Sequence, residues 1–319
     1  MSVRLGILGF GIMGERLLRA ALAHDPAVIR AVAVWDPSPA AATRLAALPG
    51  APPMLADAGA VIGAADAIYI AAPPAAHIPL AEAALAAGRA IFLEKPLATD
   101  LPDARRFVAS AAEARAAVNF PMASSPAVAE LADWQAGIGA VTGLSIHAQF
   151  ATWPRAWQRD AAGWLARRAE GGFTREVLSH FLFLTQRRLG PLTLHEARVT
   201  WPEGDGSETD LIARLDAGGV PVVMTGRVGR TDLDETNTWR LAGTKGAIRL
   251  RDWSIAEIEG ADGTWRTAPD ALPNPAMRPL VLQRQLDKLA AMTRGAPTDL
   301  ARLAEALEVQ EVVEAILAA

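Results

Sequence analysis

The sequence predicts an α/β protein in which a doubly wound parallel sheet is followed by an α+β domain with a mainly antiparallel open sheet. Three observations predict this fold class. Short apolar runs alternate with helical stretches up to residue 120, a glycine fingerprint follows the first run, and longer, partly alternating runs separated by glycine or aspartate turns come after residue 120. Two domains are therefore expected, over residues 1–120 and 121–319.

The first domain begins with a strand, a glycine turn and a helix, and the same alternation then continues. The apolar runs are short and continuous, as expected for strands buried on both faces of a parallel sheet. The predicted strands are Leu5–Leu8, Ala31–Trp35, Ala67–Ala71, Ala90–Leu93 and Ala116–Asn119, and the predicted helices are Glu15–Ala23, Ala40–Leu48, Ile78–Ala87 and Pro102–Ala114. This alternation is typical of a Rossmann-type sheet.

The second domain has the pattern of an antiparallel sheet. Its predicted strands are Val141–Phe150, Leu192–Trp201, Asp210–Leu215, Val220–Val228, Thr238–Ala242 and Ala247–Leu250. Gly218-Gly219 lies between two of these strands and predicts a tight hairpin turn. A proline-rich connector, Pro269–Pro279, precedes two predicted helices, Leu280–Arg294 and Leu300–Leu317. Residues 280–318 are expected to pack back against the first domain.

Composition and charge exclude several kinds of partner. The chain has 319 residues and a formal net charge of -4, which leaves no basic surplus for nucleic-acid binding. It has no cysteine, so disulfides and thiolate metal sites are excluded. The N-terminal residues run directly into an apolar strand without a signal-peptide core, and the apolar stretch Val61–Ala72 is broken by Asp66. We therefore expect a cytoplasmic protein whose partner is a small molecule, with no role for nucleic acid or membrane.

A glycine fingerprint, Gly9-Phe10-Gly11-Ile12-Met13-Gly14, lies between the first strand and the first helix. The first two glycines permit a tight turn and close approach to a pyrophosphate, and the third lets helix and strand pack closely. Asp36 ends the second strand, where a carboxylate accepts hydrogen bonds from an adenosine ribose. Its charge would repel a 2′-phosphate, which favours NAD(H), although Ser38 and Arg44 could serve the phosphate of NADP(H). The alternative is that Asp36 only caps the turn before Pro37.

Two further strand ends bring polar groups to the same edge of the predicted sheet. The third strand ends in a loop of small residues and prolines, Ala71–His77, in which Ala72 and Pro73 would let a cofactor lie close. The fourth strand ends in Glu94-Lys95-Pro96. Ligands of an open parallel sheet bind beyond the carboxyl ends of its strands, so Lys95 would face the bound cofactor. Such a cation can neutralise charge that develops on an alcohol oxygen as hydride moves. The alternative is a solvated lysine.

With these motifs the chain resembles the Gfo/Idh/MocA oxidoreductases, which combine a glycine fingerprint, a small-Pro-x-x-x-His loop and a Glu-Lys-Pro strand end with an antiparallel-sheet domain. The resemblance implies a nicotinamide cofactor and hydride transfer at a hydroxyl or carbonyl carbon of a sugar, polyol or related molecule, with Lys95 in catalysis. It also implies that residues 121–319 bind substrate and join a homodimer or homotetramer through their sheet. The cofactor residues that it implies are Gly9, Phe10, Gly11, Ile12, Met13, Gly14, Asp36, Ala72, Pro73, His77, Glu94, Lys95 and Asn119.

A motif in the second domain departs from the family pattern. Family members carry a glycine run, an Asp and then Gly-x-His on a helix that faces the nicotinamide. Here Gly171-Gly172 and His180 match, Glu176 occupies the Asp position and Leu178 the later Gly position. On a regular helix Glu176 and His180 share a face, so the carboxylate could orient the imidazole, and both are candidate catalytic residues beside Lys95. Leu178 adds a side chain where substrate or another helix could approach.

Alternatives remain open at this motif and for the protein as a whole. His180 precedes an apolar run, so it could be a core histidine. Because the helix is altered, the protein could instead be a reductase that acts on an imine or a conjugated bond with the same cofactor. A protein of another class, a non-catalytic regulator that binds nucleotide, would also keep the fold.

Aromatic and basic residues between the motifs form another candidate group. Trp153, Trp157 and Arg167 are candidate substrate residues, because indoles stack on sugar faces and guanidinium groups pair with carboxylates. The alternative is that the tryptophans pack against protein and the arginines are solvated or paired. Two acidic patches, Glu203-Gly204-Asp205 and Asp232–Glu235, lack a companion histidine and predict solvated turns with no metal. Four later tryptophans are expected to be packing residues: Trp201, Trp239, Trp253 and Trp265.

Overall fold

The computed structural model of the protein describes residues 1–319 apart from the side chain of Asp160. The chain forms two compact units. The first contains Met1–Ser124 and Arg278–Glu308, and the second contains Ser125–Met277 and Val309–Ala319. The first boundary therefore lies close to residue 120, and each unit includes part of the C-terminal segment.

The first unit is built on a parallel sheet. Its strands are β1 (Val3–Leu8), β2 (Ile29–Trp35), β3 (Ala67–Ile70), β4 (Ala90–Leu93) and β5 (Ala116–Val118). Its helices up to residue 124 are α1 (Ile12–Leu22), α2 (Pro39–Ala46), α3 (Ala58–Ala64), α4 (His77–Ala86) and α5 (Leu101–Ser110). The strand order is β2-β1-β3-β4-β5, which confirms the predicted doubly wound sheet.

The strand order changes direction at β1. This strand pairs in parallel with β2 on one side and with β3 on the other. In such a sheet a ligand binds in the crevice beyond the carboxyl ends of the strands at this point. Beneath the crevice Leu5, Ile7, Tyr69 and Phe92 are fully buried, so the loops after β1, β3 and β4 rest on a closed core.

Helix α3 is missing from the sequence prediction for a local reason. Its seven residues include two glycines, which are poor helix formers. Asp57 caps it by accepting a hydrogen bond from the backbone N–H of Ala60 at 2.7 Å. Val61 and Ile62 are buried, so tertiary packing stabilises a helix that propensity alone does not favour.

The second unit contains an open sheet of eight strands. They are β6 (Val141–Phe150), β7 (Leu192–Thr200), β8 (Asp210–Ala217), β9 (Val220–Val228), β10 (Glu235–Gly243), β11 (Gly246–Arg251), β12 (Ile255–Glu259) and β13 (Trp265–Thr267). The order is β13-β12-β11-β10-β6-β9-β8-β7. Among the described strands β6 and β9 pair in parallel and the other neighbours are antiparallel, so the expected mainly antiparallel sheet is confirmed. The helices of this unit before residue 200 are α6 (Pro126–Trp134), α7 (Ala162–Leu165) and α8 (Ser179–Leu189).

The predicted hairpin between β8 and β9 is confirmed. Ala217 pairs with Val220, which leaves Gly218 and Gly219 as a two-residue loop. Both glycines have positive φ angles, 57° and 88°. A type I′ turn requires this conformation at both positions, so glycine is present for a conformational reason.

Two long helices, α9 (Asn274–Thr293) and α10 (Leu303–Leu317), close the chain. The prediction of a connector as far as Pro279 is wrong, because α9 begins at Asn274 and tolerates one proline in its first turn and another further in. Leu282, Leu286 and Leu289 of α9 belong to the core of the first unit. Within the described chain no helix has the length and hydrophobicity of a membrane span.

Candidate active site

The glycine fingerprint forms the turn between β1 and α1. Gly9 has a φ of 95°, and a Cβ atom there would lie 2.6 Å from backbone atoms of Ala71 and Ala72. At Gly14 a Cβ atom would lie 2.1 Å from the carbonyl oxygen of Gly9. Both positions require glycine, because backbone atoms this close cannot move aside for a methyl group. The close packing expected at Gly14 is therefore present.

Gly11 differs because the protein does not fill the space beside it. Apart from atoms of Gly11 and its neighbours along the chain, a Cβ atom there would have no heavy atom within 4 Å, and the φ of -78° is accessible to any residue. Gly11 is also the N-cap of α1, and no side chain caps this helix. The backbone N–H groups of the first helical turn and the open space beside Gly11 suit the pyrophosphate of a dinucleotide.

Asp36 and Arg44 hold the backbone of Phe10 from two sides. Asp36 accepts hydrogen bonds from the N–H of Phe10 at 2.6 Å and from the N–H of Ser38 at 2.8 Å, one on each carboxylate oxygen. Arg44 donates through Nη2 to the carbonyl oxygen of Phe10 at 2.6 Å. Asp36 thus caps the turn after β2, as the alternative predicted. It also fixes the glycine turn, and it lies half-buried at the strand end where an adenosine ribose binds in such sheets.

The other predicted cofactor residues near the turn lie at the same edge of the sheet. Ile12 and Met13 begin α1, and Ala72 and Pro73 lie in the loop after β3. The side chains of these four residues are half-buried or exposed, whereas Phe10 is fully buried under the turn. The structure therefore places these residues at one edge of the sheet, and their contact with a cofactor stays a prediction.

His77 connects the loop after β3 with the loop after β4. Its Nδ1 lies 2.8 Å from the carbonyl oxygen of Pro96, and its Nε2 lies 2.8 Å from the carbonyl oxygen of Ala72. The imidazole is 1% exposed, and burial lowers the pKa of His77 while the two carbonyl contacts oppose that effect. His77 therefore shapes the crevice by joining two loops, and its ring is shielded from solvent.

Glu94 and Lys95 continue beyond the carboxyl end of β4. The buried carboxylate of Glu94 accepts hydrogen bonds on Oε1 from the hydroxyl of Tyr69 and from Nδ2 of Asn119, the latter at 2.6 Å. Asn119 is 1% exposed, so its amide is engaged inside the unit. Lys95 is half-buried, and the Lys95–Pro96 peptide bond is cis. Lys95 therefore lies at the predicted edge of the sheet, immediately after a buried polar network.

In the second unit Glu176 lies in a π-helical turn, Thr174–Leu178, and His180 is the second residue of α8. The prediction that Glu176 and His180 follow regular α-helical spacing is therefore wrong, because a π turn bonds residues five apart and rotates the positions that follow. Arg175 anchors this turn by donating to both carboxylate oxygens of Glu314 at 2.7 Å.

Packing within the protein explains the glycine run before this turn. A Cβ atom at Gly171 would lie 2.1 Å from the carbonyl oxygen of Leu165, and one at Gly172 would lie 2.1 Å from Oε2 of Glu208. Glu208 is buried, and its Oε1 accepts a hydrogen bond from the backbone N–H of Thr174 at 2.7 Å. The glycines thus let a buried carboxylate reach the start of the π turn, and no ligand is needed to explain them.

His180 is buried against Trp253, as the alternative of a core histidine also allows. Trp253 donates through its indole nitrogen to Oε1 of Glu235, whose Oε2 accepts a hydrogen bond from Nη1 of Arg155 at 2.6 Å. The expectation that Glu235 lies in a solvated turn is wrong, because Glu235 begins β10 and pairs with an arginine that is 6% exposed. The sequence pattern does not reveal Trp253 or Arg155 as neighbours of this site.

Trp153 has the packing role that was the alternative to substrate binding. Its indole nitrogen donates to the carbonyl oxygen of Leu165 at 3.1 Å. Its ring meets Phe150 and Phe173 edge to face, with centroid distances of 5.1 and 6.1 Å. These contacts explain the residue without a ligand.

Trp157 and Arg167 are more open. The indole of Trp157 is 39% exposed and lies 4.6 Å from the guanidinium carbon of Arg155. Arg167 is exposed and donates through Nε to the carbonyl oxygen of Gly163 at 2.8 Å. Their roles toward substrate stay predictions. Among the described residues no group of three or more His, Cys, Asp or Glu side chains is placed to hold a metal ion.

Comparison with known proteins identifies relatives of the chain. Residues 3–120 match the model of an oxidoreductase family with an NAD-binding Rossmann fold, GFO_IDH_MocA. An inositol 2-dehydrogenase of Rhizobium meliloti (strain 1021) is 28% identical over 282 residues, which cover 84% of this chain and 82% of that protein. An inositol 2-dehydrogenase of Cereibacter sphaeroides (strain ATCC 17029) is 38% identical over 109 residues, 34% of this chain and 32% of that protein.

Solved structures show the same fold over the whole chain. A levoglucosan dehydrogenase in complex with NADH and levoglucosan has a TM-score of 0.84 at 18% identity and covers 100% of this chain and 97% of that one. An oxidoreductase from Agrobacterium radiobacter in complex with NAD+, L-tartaric acid and magnesium has a TM-score of 0.81 at 19% identity and covers 99% and 95%. The family match spans both the glycine turn that fits a dinucleotide and the Glu94-Lys95-Pro96 strand end, so residues 3–120 are similar to the NAD-binding Rossmann domain of the Gfo/Idh/MocA oxidoreductases.

Proposed function

We propose that the protein oxidises a secondary hydroxyl group of a cyclic polyol or a sugar with NAD+, and that Lys95 exchanges the proton of that hydroxyl group. The observation that carries this proposal is the position of Lys95, half-buried beyond β4 at the edge of the sheet that also holds the glycine turn. The substrate class is supported by the relative that aligns with most of the chain, an inositol 2-dehydrogenase, since inositol is a cyclic polyol.

Different residues of the first unit bind the cofactor and transfer the proton. Bound NAD+ supplies the hydride acceptor. The N–H groups at the start of α1 bind the pyrophosphate beside Gly11, and Asp36 accepts hydrogen bonds from the adenosine ribose. Lys95 Nζ accepts the hydroxyl proton in oxidation and returns it in reduction. Lys95 thus keeps charge from building up on the substrate oxygen while the carbon–hydrogen bond breaks.

The proposal depends less on Glu176 and His180 than on Lys95. Their support is the π turn that carries Glu176, because such turns are frequent at functional sites. Leu178 is fully buried, so its side chain does not extend into open space. Leu178 in place of the family's glycine was one reason to consider a reductase of an imine or a conjugated bond. Because that side chain is buried, this reason is weaker, and we prefer a hydroxyl substrate.

Steady-state assays of the full chain test this function. Wild type is assayed by nicotinamide absorbance with NAD+ against inositols and sugars and with NADH against keto acids, and Lys95→Met is compared on each active substrate. We expect Lys95→Met to lower kcat by about a hundredfold or more, while the Kd for NADH stays within about threefold of wild type. Lys245→Met, which changes an exposed lysine in the turn between β10 and β11, is the matched control. Near-normal turnover of Lys95→Met removes this residue from the mechanism, and binding of NADH without turnover of any substrate supports the regulatory alternative.

We also propose that the open face of the second unit's sheet joins copies of the chain into a dimer or tetramer. Ile212 and Val223 are 43% and 40% exposed, and both lie on one face, since Ile212 is opposite Thr225 two residues from Val223. Light scattering after size exclusion measures the mass of wild type and of Ile212→Asp/Val223→Asp, with Leu233→Asp as an exposed apolar control outside the sheet. A wild-type mass of 33.6 kDa, that of one chain, contradicts the proposal.

A further inference from the structure

Four buried polar side chains form a line from α9 to the residue before Lys95. Gln285 donates through Nε2 to Oδ1 of Asn119 at 2.8 Å, and Asn119 donates to Oε1 of Glu94 at 2.6 Å. The hydroxyl of Tyr69 donates to the same oxygen of Glu94. Tyr69 and Gln285 are 0% exposed. Apolar side chains of the same shape can replace a buried hydrogen-bonded pair at little cost, so the stability of the core does not require these four polar groups. Their presence under the strand end points to a role there.

The register of the parallel sheet explains why these side chains meet. Tyr69 on β3 lies opposite Phe92 on β4, and Glu94 follows Phe92 by two residues on the same face. The Tyr69 ring lies beside the Phe92 ring, with centroids 5.6 Å apart. The Tyr69 hydroxyl extends beyond the Phe92 ring to the carboxylate of Glu94. Asn119 directly follows β5, and its backbone N–H donates to the carbonyl oxygen of Leu93 at 2.6 Å. The three strand ends thus present their polar groups to one another.

Burial keeps the Tyr69 hydroxyl protonated. Burial is the largest cause that raises the pKa of Tyr69 well above its ordinary value, and the charge of Glu94 is the next. Tyr69 therefore keeps its proton at neutral pH and donates it. Two donors on one oxygen restrict the rotation of the Glu94 carboxylate. Lys95 is the next residue along the chain from a side chain that is held in this way.

We propose that Tyr69, Asn119 and Gln285 are positioning residues that hold the Glu94 carboxylate in one orientation and thereby fix the backbone from which Lys95 reaches the substrate oxygen. This inference rests on the function proposed for Lys95. It extends the site to a helix near the end of the chain, outside the motifs that bind the cofactor. A displacement of about 1 Å in a reacting group costs about a hundredfold in rate, so a rigid support for Lys95 has a direct effect on kcat.

The first test needs neither cofactor nor substrate. Tyr69 is the single tyrosine of the chain, so alkaline titration of tyrosinate absorbance, or of the NMR signal from isotope-labelled tyrosine, reports on this network alone. Glu94→Gln removes the charge beside the hydroxyl, and we expect Tyr69 to ionise at lower pH than in wild type. Near-ultraviolet circular dichroism at each pH identifies unfolding, which would also release Tyr69. An identical titration in Glu94→Gln and wild type contradicts the network.

The second test compares Tyr69→Phe and Gln285→Leu with Thr293→Val. Thr293 lies on α9, and its buried hydroxyl donates to the carbonyl oxygen of Leu289 at 2.7 Å, outside the network. We expect Tyr69→Phe to lower kcat about tenfold, Gln285→Leu about threefold and Thr293→Val less than about twofold. The substrate KM and the Kd for NADH should stay within about twofold of wild type. Because the hydride step slows, the isotope effect with substrate deuterated at the reacting carbon should increase in Tyr69→Phe.

The outcomes separate this inference from the function on which it rests. Equal losses of kcat in Tyr69→Phe and Thr293→Val, or a loss of NADH affinity that accounts for the lower rate, indicate a purely structural contribution and overturn the inference. Normal kcat in Tyr69→Phe beside an inactive Lys95→Met overturns the inference and leaves the proposed function standing. Near-normal turnover in Lys95→Met overturns the proposed function, and with it the role of the network in positioning that lysine.

Discussion

The indole of Trp253 meets the imidazole of His180 edge to face, with ring centroids 5.4 Å apart and planes at 76°. Trp253 has a φ of 72° and Asp252 a φ of 48°, a region that residues other than glycine rarely adopt. Asn237 holds the turn by accepting a hydrogen bond from the backbone N–H of Trp253 at 3.0 Å. Backbone strain of this kind persists only where surrounding contacts enforce it, and it clusters at functional sites. The strained turn therefore keeps the indole against His180.

This strain predicts an unusual order of stability for two variants of Trp253. Trp253→Ala removes the indole and leaves a side chain in the left-handed conformation, and we expect it to lower the free energy of unfolding by about 2–3 kcal/mol. Trp253→Gly removes the same contacts but relieves the strain, so it should be more stable than the alanine variant by about 1 kcal/mol. Guanidinium unfolding measures both values. If the alanine variant equals or exceeds the glycine variant in stability, the turn is not strained.

Gly11→Ala should separate cofactor binding from folding. Apart from residue 11 and its neighbours along the chain, no described atom lies within 4 Å of the new methyl group, so the free energy of unfolding should change by less than about 1 kcal/mol. The methyl group would occupy the space proposed for the pyrophosphate, so the Kd for NADH should rise about tenfold or more, equivalent to about 1.4 kcal/mol. Fluorescence titration with NADH and denaturant unfolding measure the two effects.

Gly14→Ala is the matched contrast for Gly11→Ala. Its methyl group would lie 2.1 Å from the carbonyl oxygen of Gly9, so we expect a loss of about 2 kcal/mol or more in the free energy of unfolding. A Gly11→Ala protein that binds NADH as wild type does would mean that the pyrophosphate lies elsewhere.

Asp36→Asn should narrow the preference for NAD over NADP. Asparagine keeps one oxygen that can accept the N–H of Phe10 or Ser38, and it removes the charge that repels a 2′-phosphate. We expect the ratio of the Kd for NADPH to the Kd for NADH to fall about tenfold. Asp57→Asn changes the N-cap of α3, where asparagine caps as well as aspartate, and serves as control. Equal ratios in Asp36→Asn and wild type would show that the carboxylate does not select the cofactor.

Local patterns account for the parts of the fold that the sequence predicts. Ala90–Leu93 is a continuous apolar run between polar turns, and Gly218-Gly219 supplies the conformation that a two-residue hairpin needs. The strand Trp265–Thr267 has three residues and depends on its pairing with Glu257–Glu259, which no local pattern indicates. Short elements that tertiary contacts stabilise are therefore the ones that the sequence does not predict.

The same distinction applies to the candidate site. Asp36 follows one apolar run directly and Lys95 follows another by two residues, so their position at the edge of the sheet follows from strand order alone. Gln285 is 166 residues away from its partner Asn119 in the sequence, and the fold alone brings them together. The available signal was a glutamine on the apolar face of α9, where Leu282 precedes it by three residues. A polar residue within an apolar stripe indicates a candidate site residue, but the sequence does not show which residue it bonds to.

Glu208 should make the stability of the protein depend on pH. It is 1% exposed, and burial raises the pKa of its carboxyl group above the ordinary value of 4.5, while the hydrogen bond from Thr174 opposes that rise. The folded protein therefore holds this proton more tightly than the unfolded chain does. Its contribution to stability is fully present below the unfolded pKa, and it is lost as pH rises through the higher folded pKa.

Glu208→Gln tests this sign because glutamine does not titrate and can still accept the hydrogen bond from Thr174. We expect wild type to lose stability relative to Glu208→Gln as the pH rises above the ordinary carboxyl pKa and through the higher pKa of the folded protein. Guanidinium unfolding at a series of pH values gives the difference. Glu203→Gln removes an exposed carboxylate and is the matched control. A difference between wild type and Glu208→Gln that stays constant with pH, or that grows in favour of wild type, would mean that the buried carboxyl group does not hold its proton as burial predicts.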